Sequence, residues 1–361
     1  MQKINYHLKK RTDKVVIPEN PGFGLHFTDH VFEMDYSPEN GWHNAVIKPL
    51  SDLSMHPGTM FIHYGQAIFE GLKAFRTEND EVVIFRPEKH LARLNNSAKK
   101  LCIPPVDTTF MLQALLELIN IEKDWIPATK GESLYIRPFI FGNDPFLGVK
   151  PSKNYKLIFL LSPVGAYYPE GFKPVKILAQ DDYVRAVRKG IGDAKTAANY
   201  AASLLASEEA HKKGFTQVLW LDGVEQKYIE EVGTMNIFIR FKNEIVTPKL
   251  NGSILPGVTR DSVLQILKGW NMNPVERQVS ITEVVDEYKK GNVLEIFGTG
   301  TAAVISSVGW LTFKKDEMTF NGGQPGDLAL KLFDEITSIQ YGVSEDKYNW
   351  LTFVNKENVE A

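Results

Sequence analysis

The sequence contains a single cysteine, Cys102. An intrachain disulfide is therefore impossible, and a cysteine-built zinc site or dithiol pair within one chain is excluded; no metal is expected. An excess of one charge is missing as well. Over 361 residues, 41 Lys+Arg stand against 44 Asp+Glu, a formal net charge of −3. Such a chain is not built to grip nucleic acid or an anionic membrane by charge. Long hydrophobic runs are also absent: no stretch approaches the roughly 18 apolar residues of a membrane span. The basic stretch 1–14 is not followed by an apolar signal-peptide core. With Arg11 as its sole arginine and an acid at Asp13, it does not read as a mitochondrial transit peptide either. The expectation is a cytoplasmic protein. Hydrophobic residues at 43% and charged residues at 24% are ordinary for a globular chain, and the length suits two domains.

The residue pattern divides the chain. Residues 59–63 and 81–85 read as short strands. Leu91, Leu94, Ala98 and Leu101, spaced by three and four, put a helix over 87–101. Asp107 is placed to cap a second helix bearing Phe110, Leu115, Leu118 and Ile119. Residues 133–141 and 156–161 read as buried strands. Three prolines and two glycines then crowd into 162–174, the strongest linker signal in the chain. Beyond it come a strand at 175–179 and an Ala-rich helix over 197–213 closed by Gly214. Strands over 215–221 and 226–241 are joined across Asp222-Gly223, and 245–248 continues the sheet. A helix over 258–270, strands at 293–297 and 303–308 around a Gly/Thr loop, and a helix over 327–341 complete the pattern. The second half is richer in strands than a plain alternating α/β sheet requires.

Lys195 stands between Gly192-Asp193-Ala194 and the Ala-rich helix. A cation at a helix N-terminus is disfavoured by the dipole, and a destabilised ammonium is what a Schiff-base lysine needs. A solvated lysine is the plain alternative. Read at strand period two, 228–240 puts Ile229, Glu231, Met235, Ile237 and Ile239 on one face and Glu230 on the other. Glu231 thus falls on the more apolar face, where a carboxylate must neutralise or find a cation. An ordinary salt bridge also meets that need, and a bulge at Gly233 would shift the register beyond it.

Two loops suit an anion. Leu255-Pro256-Gly257-Val258-Thr259-Arg260 runs into a helix whose N-terminal N–H groups suit a phosphate. Gly298-Thr299-Gly300-Thr301-Ala302 offers small residues, N–H groups and hydroxyls. Each by itself reads as well as a plain turn, and neither matches a Walker loop or a dinucleotide fingerprint. Arg86, ahead of Pro87 at a helix start, is a third anion candidate or a surface arginine. Taken together, a lysine amine, a buried carboxylate, a phosphate cup and an arginine meet the needs of pyridoxal 5′-phosphate. They are an imine partner, a group that keeps the pyridine nitrogen protonated, and a phosphate site.

The chain also resembles the branched-chain amino-acid aminotransferases, of the fold-type IV pyridoxal-phosphate enzymes. The resemblance is carried by Phe69-Glu70-Gly71-Leu72-Lys73-Ala74-Phe75, Gly192-Asp193-Ala194-Lys195, Glu231-Val232-Gly233-Thr234-Met235-Asn236 and Leu255-Pro256-Gly257-Val258-Thr259-Arg260. It runs from Phe23-Gly24 to Ser338-Ile339-Gln340-Tyr341-Gly342. It implies an α/β (α+β) fold: a small α/β domain over 1–163, a linker loop over 164–175, and a larger cofactor-binding domain with a β-barrel-like sheet over 176–361.

It also implies roles. Lys195 is the Schiff-base lysine and proton shuttle, Glu231 the pyridinium partner, and Tyr200 a hydrogen-bond partner of the cofactor's 3′ oxygen. Arg86, Thr301 and the N–H groups of Val258 and Thr259 bind phosphate. The N–H groups of Thr234 and Ala302 meet the substrate α-carboxylate. Phe23, Tyr64, Phe69, Tyr135, Val149 and Tyr167 line the side-chain pocket, in part across a homodimer interface. Arg137 shares a strand face with Tyr135, and in the resembled family the matching arginine takes the γ-carboxylate of glutamate; a structural salt bridge is the alternative.

The implied reaction is reversible, ping-pong transfer of the amino group of Leu, Ile or Val to 2-oxoglutarate. D-amino-acid transamination or aminodeoxychorismate lyase chemistry on the same fold is the rival, and a non-catalytic binder of phosphate ligands is a more distant one. In one respect the sequence departs from the mammalian relatives. Ala303 and Ser306 stand where those carry a Cys-x-x-Cys pair, so a thiol switch there is absent. The lack of a long N-terminal extension fits a bacterial or cytosolic form.

Overall fold

The structure, a computed structural model, describes residues 3–10, 14–166 and 172–354. The chain forms two compact units. The first is Met1–Tyr167 with Ala194–Ala197 and Ser338–Ala361; the second is Tyr168–Asp193 with Ala198–Thr337. Of the expected linker 164–175, residues 167–171 lie outside the described residues. On either side the strand Tyr155–Val164 ends and the strand Val175–Gln180 begins.

In the first unit the described strands form one largely antiparallel sheet. Its order is Asn5–Tyr6, Gly41–Pro49, His30–Ser37, Tyr155–Val164, Ser133–Gly142, Leu72–Arg76, Val82–Phe85 and Leu351–Phe353, with Ala67–Phe69 also paired to Ser133–Gly142. The helices Pro87–Lys100 and Thr108–Ile121 contribute Leu91, Leu94, Leu115 and Ile119 to a core with Phe32, Ile47, Leu72, Leu134 and Phe159 of the sheet. Asp107 caps the second helix as expected, accepting from the N–H groups of Thr109 and Phe110. Residues 59–63 are not a strand. They belong to the short helix Met60–Tyr64, where Thr59 donates its hydroxyl to His56 O at 2.6 Å and Gly65 closes the turn at φ +65°. Local turn bonding here outweighs the β preference of the side chains.

Two late segments return to this sheet. Leu351–Phe353 pairs antiparallel with Val82–Phe85, and Thr196 bridges to Ile68. The second of these carries Lys195.

The second unit is a closed barrel. Ile229–Val232, Gln217–Leu221, Val175–Gln180, Val304–Phe313, Val293–Gly300 and Met235–Phe241 pair in that order, and Met235–Phe241 pairs again with Ile229–Val232, closing a ring of six strands. Ile177, Leu219, Val232, Ile237, Ile239, Ile296, Val308 and Leu311 fill its interior. This closure is the barrel-like sheet expected from the resemblance, and it explains the surplus of strands: a barrel has no open edges to protect. On the outer face, Ala206 and Ala210 of the helix Leu204–Lys212 pack on Trp220, and Phe238 stacks on Phe297 at 5.3 Å. The single helix expected over 197–213 is two pieces, Ala197–Ala201 and Leu204–Lys212. The Ser203 hydroxyl bonds Tyr200 O at 2.8 Å between them, a local bond that competes with the helical ladder. The expected strand 226–241 is a hairpin, Ile229–Val232 and Met235–Phe241, turning at Gly233 with φ +56°.

Candidate active site

In the first unit the helix Pro87–Lys100 sets out a polar stripe. Arg86, His90, Arg93 and Ser97 are spaced by four, three and four, so they share one helix face. Glu70 lies wholly buried against it. Arg93 grips both carboxylate oxygens, Nε to Oε1 at 2.7 Å and Nη2 to Oε2 at 2.8 Å, and His90 Nδ1 adds a contact at 2.9 Å. Burial pushes the Glu70 carboxyl up, but the charge and hydrogen bonds of Arg93, with those of His90, outweigh it and hold the group well below the usual carboxylate range.

Ser97 Oγ accepts from the backbone N–H of Lys195 at 2.8 Å, Phe69 N–H donates to Lys195 O at 3.0 Å, and Thr196 Oγ1 donates to Ala67 O at 2.8 Å. The backbone of Lys195 is thus pinned on both sides. Its amine lies 4.8 Å from the centre of the Phe69 ring. Burial first, and the Arg93 charge second, lower its pKa to about 8, against the opposing pull of Glu70.

The same unit gathers part of the expected pocket. The Arg137 guanidinium lies 4.7 Å from the Phe69 ring centre and 5.2 Å from that of Tyr135, and its Nη2 donates to the Tyr135 hydroxyl at 2.9 Å. Its Nε is buried without a hydrogen-bond partner. Phe23 meets Tyr135 edge-on at 4.9 Å. Gly71 is required beneath this cluster, because a Cβ there would lie 2.1 Å from the Tyr135 hydroxyl. Tyr64 and Val149 are not drawn in: Tyr64 reaches out to Leu147 O, and Val149 is 85% exposed. Tyr167 lies outside the described residues. Arg86 is buried at the helix N-cap in the left-handed region, φ +52°, with its guanidinium 4.9 Å from the Trp350 ring centre. Of the arginine charges that lower the Lys195 pKa, that of Arg93 is the larger and that of Arg137 the smaller.

The second unit holds the carboxylate and the loops. Glu231 Oε1 accepts from Leu255 N–H at 2.8 Å, and Oε2 lies 3.4 Å from Arg185 Nε. The expected face is overturned. Across the turn at Gly233, Glu231 pairs with Asn236, so it lies on the outer face and not with Met235, Ile237 and Ile239, which belong to the barrel core; the turn shifts the side-chain parity beyond it. Its neighbour Glu230 is equally buried, held by Asn251 Nδ2 at 3.1 Å and by the Ser253 hydroxyl. The loop at 251–253 covers Glu230 too, which alternation within one strand does not reveal. Asn236 pairs across the hairpin with Glu231 and binds Leu255 O through Nδ2 at 2.9 Å. A Cβ on Gly257 would lie 2.0 Å from Asn236 Oδ1, so the loop requires glycine at this point. Gly257 then opens the helix Val258–Gly269 without a side-chain cap, and Thr259 is buried at its start. Thr301 and Ala302 lie in the turn between Val293–Gly300 and Val304–Phe313, and Thr234 is exposed in the hairpin turn. Tyr200 is half-buried beside Asn199, whose Nδ2 donates to Ile191 O at 2.8 Å. Among the described residues no three His, Cys, Asp or Glu gather as metal ligands.

These groups fit pyridoxal 5′-phosphate. The first unit supplies a half-buried lysine of lowered pKa. The second, taken by itself, supplies a buried carboxylate that accepts a hydrogen bond at Oε1 and faces Arg185 at Oε2, and a glycine-opened helix N-terminus. A family model for amino-transferase class IV matches residues 67–309. "Branched-chain-amino-acid aminotransferase 2" of Bacillus subtilis (strain 168) is 54% identical over 337 residues, 93% of each chain. The chain belongs to the branched-chain group of the class IV aminotransferases. The corresponding protein of Mycolicibacterium smegmatis is 43% identical over 341 residues, again 93% of each chain. Among solved structures, the branched-chain amino acid aminotransferase from Escherichia coli matches with a TM-score of 0.73 at 26% identity, covering 91% of this chain and 100% of that one. The T.th. branched-chain amino acid aminotransferase with pyridoxamine 5′-phosphate matches with a TM-score of 0.76 at 26% identity, covering 91% and 99%.

What sequence reasoning missed in this aminotransferase is the Glu70–His90–Arg93 cluster. Its signal was present in the spacing of Arg86, His90, Arg93 and Ser97, but the apolar periodicity of the same helix drew attention to the opposite face. Lys73 was also passed over. Paired with Tyr135 across the sheet, it is a second buried lysine, its pKa lowered by burial to about 8.

Proposed function

We propose that this aminotransferase moves the amino group of L-Leu, L-Ile or L-Val to 2-oxoglutarate, reversibly and by a ping-pong route, with pyridoxal 5′-phosphate as cofactor. When bound, the cofactor supplies an aldehyde carbon that joins the substrate amine and a ring that takes up the electron pair left at the substrate Cα. The observation that carries the reading is Lys195. Pinned through its backbone and brought to about 8, its amine is partly unprotonated near neutral pH and able to take and return a proton at Cα.

Glu231, fixed by Leu255 N–H and Arg185, keeps the ring nitrogen protonated. Tyr200 serves the 3′ oxygen. Val258, Thr259 and Thr301 take the phosphate, with a cation from the helix Pro87–Lys100. Arg86 is the candidate by position in the sequence; Arg93 is favoured by its charge acting on Lys195. The N–H groups of Thr234 and Ala302 receive the α-carboxylate. Phe23, Phe69 and Tyr135 form the side-chain pocket, Tyr64, Val149 and Tyr167 complete it, in part across the dimer interface, and Arg137 takes the γ-carboxylate of glutamate.

A homodimer is part of the proposal. Exposure of Phe146, Leu147 and Val149 in a single loop supports it, since such a loop gains by being covered. So is a cytoplasmic setting; no helix among the described residues is long and apolar enough to cross a membrane. The domain division at 164–175 is likewise proposed.

The purified protein is expected to absorb visible light and to be bleached by borohydride. It should form glutamate from L-Leu and 2-oxoglutarate but use D-Ala poorly. A colourless protein would overturn the cofactor, and a preference for D-Ala would overturn the substrate.

A further inference from the structure

Thr299 is 2% exposed, and its hydroxyl has no hydrogen-bond partner. A buried unpaired hydroxyl is costly, so its retention calls for a partner that arrives with a ligand. The barrel register shows where it points. Glu231 pairs with Asn236, and Asn236 pairs with Thr299, so the three form one row on one face of the sheet. That face is the outer one; the alternate residues Ile237, Ile239 and Ile296 belong to the barrel core. Both Glu231 and Asn236 hydrogen-bond Leu255, so the loop leading into the helix Val258–Gly269 lies on the same face. Asn236 is engaged with that loop, and the next residue along the row, Ile305, is apolar, so neither satisfies Thr299. Gly298 and Gly300 hold the register: a Cβ on either would lie 3.0 Å from the Met235 side chain on the opposite face. Thr299 stands two strands from Glu231, about 10 Å at the usual strand spacing. That is the span of a ligand with a ring nitrogen at one end and a phosphate at the other.

We propose that Thr299 is a cofactor-binding residue whose hydroxyl donates a hydrogen bond to the phosphate of pyridoxal 5′-phosphate, in addition to Thr301; this rests on the function proposed above. The test removes cofactor from the full-length protein and titrates wild type, Thr299→Val and Thr299→Ser with pyridoxal 5′-phosphate and with pyridoxal, following protein fluorescence. Melting temperatures of the cofactor-free proteins are measured alongside. Thr299→Val is expected to weaken pyridoxal 5′-phosphate at least tenfold and to leave pyridoxal within about twofold. Thr299→Ser should stay near wild type, and the cofactor-free Thr299→Val protein should melt no lower than wild type, since it loses an unpaired polar group. Unchanged phosphate-ester affinity in Thr299→Val would make the hydroxyl a packing feature and overturn the proposal. Equal weakening of both ligands would place it at the ring and overturn it as well. If Thr299→Val does not fold, Thr299→Ala carries the same comparison. A wild-type protein that binds neither ligand would instead overturn the function on which the proposal rests.

Discussion

Replacing Arg137 by methionine is expected to separate the two half-reactions. A pocket that accepts leucine and glutamate in turn must leave the leucine side chain dry yet give the γ-carboxylate a partner, because an unpaired buried charge is far costlier than an exposed one. Arg137 meets both demands. Its guanidinium is spread against the rings of Phe69 and Tyr135, so it presents little polar surface to an aliphatic chain, and its buried Nε has a proton to donate. The substitution removes the bond to the Tyr135 hydroxyl, worth about 1 kcal/mol, and stacking on Phe69, worth about 0.5–1 kcal/mol. Both are lost whichever substrate is bound, and the methionine side chain restores part of the packing. The leucine half-reaction should therefore fall by no more than roughly tenfold. The 2-oxoglutarate half-reaction loses in addition a charge-assisted bond to a desolvated carboxylate, about 2–4 kcal/mol, or roughly 30- to 1,000-fold. Single-turnover stopped-flow measurements, run from each side separately, read the two directly. A common fall in both, or in neither, would make Arg137 a structural residue and send the search for the γ-carboxylate partner elsewhere.

Lys195→Ala should cost at least ~100-fold in steady turnover while circular dichroism shows an intact fold, since the group lost is the proton carrier and not a packing element; near-normal leucine transamination would refute its role. Glu231→Gln should impair single-turnover chemistry, because an amide cannot hold the ring nitrogen protonated. Glu230→Gln should instead act mainly on the melting temperature, by weakening the contacts with Asn251 and Ser253, and an equal chemical effect of both would reject the assignment. Asp222 accepts from the N–H groups of Val224, Glu225, Lys227 and Tyr228 at 3.2, 2.8, 3.0 and 2.7 Å. Burial raises its pKa, but the bonds from Glu225, Tyr228 and Lys227 prevail and hold it well below the usual carboxylate value. With the folded pKa below the unfolded one, near 3.9, its stabilisation is complete above the unfolded value and is lost as pH falls toward the folded one. Asp222→Ala should destabilise the protein by ~3 kcal/mol at pH 7 and by less near pH 3, measured by denaturant unfolding; a loss that does not shrink in acid would contradict this.

Much of this was fixed in the chain order. The helix over Pro87–Lys100, the Asp107 cap, the strands at Ser133–Gly142 and Tyr155–Val164 and the helix Val258–Gly269 each depend on neighbours within a few turns, so periodicity and capping chemistry determined them. The short glycine-bearing motifs were legible for the same reason. Gly71, Gly192 and Gly257 each sit where a Cβ would meet another atom at 2.1, 2.3 and 2.0 Å, a demand expressed as one residue type at one place. What the sequence could not determine depends on atoms far apart along the chain. That Glu230 is buried as deeply as Glu231 rests on the 251–253 loop. The partnership of Glu70 with His90 and Arg93 spans twenty residues and more. The pinning of Lys195 by Ser97 and Phe69 crosses about a hundred. The return of Leu351–Phe353 to Val82–Phe85 and the closing of six strands into a barrel are pairings between edges, and nothing in the local spacing of side chains says which edge will meet which. Local chemistry chose the parts; long-range burial and hydrogen bonding decided what each part faces.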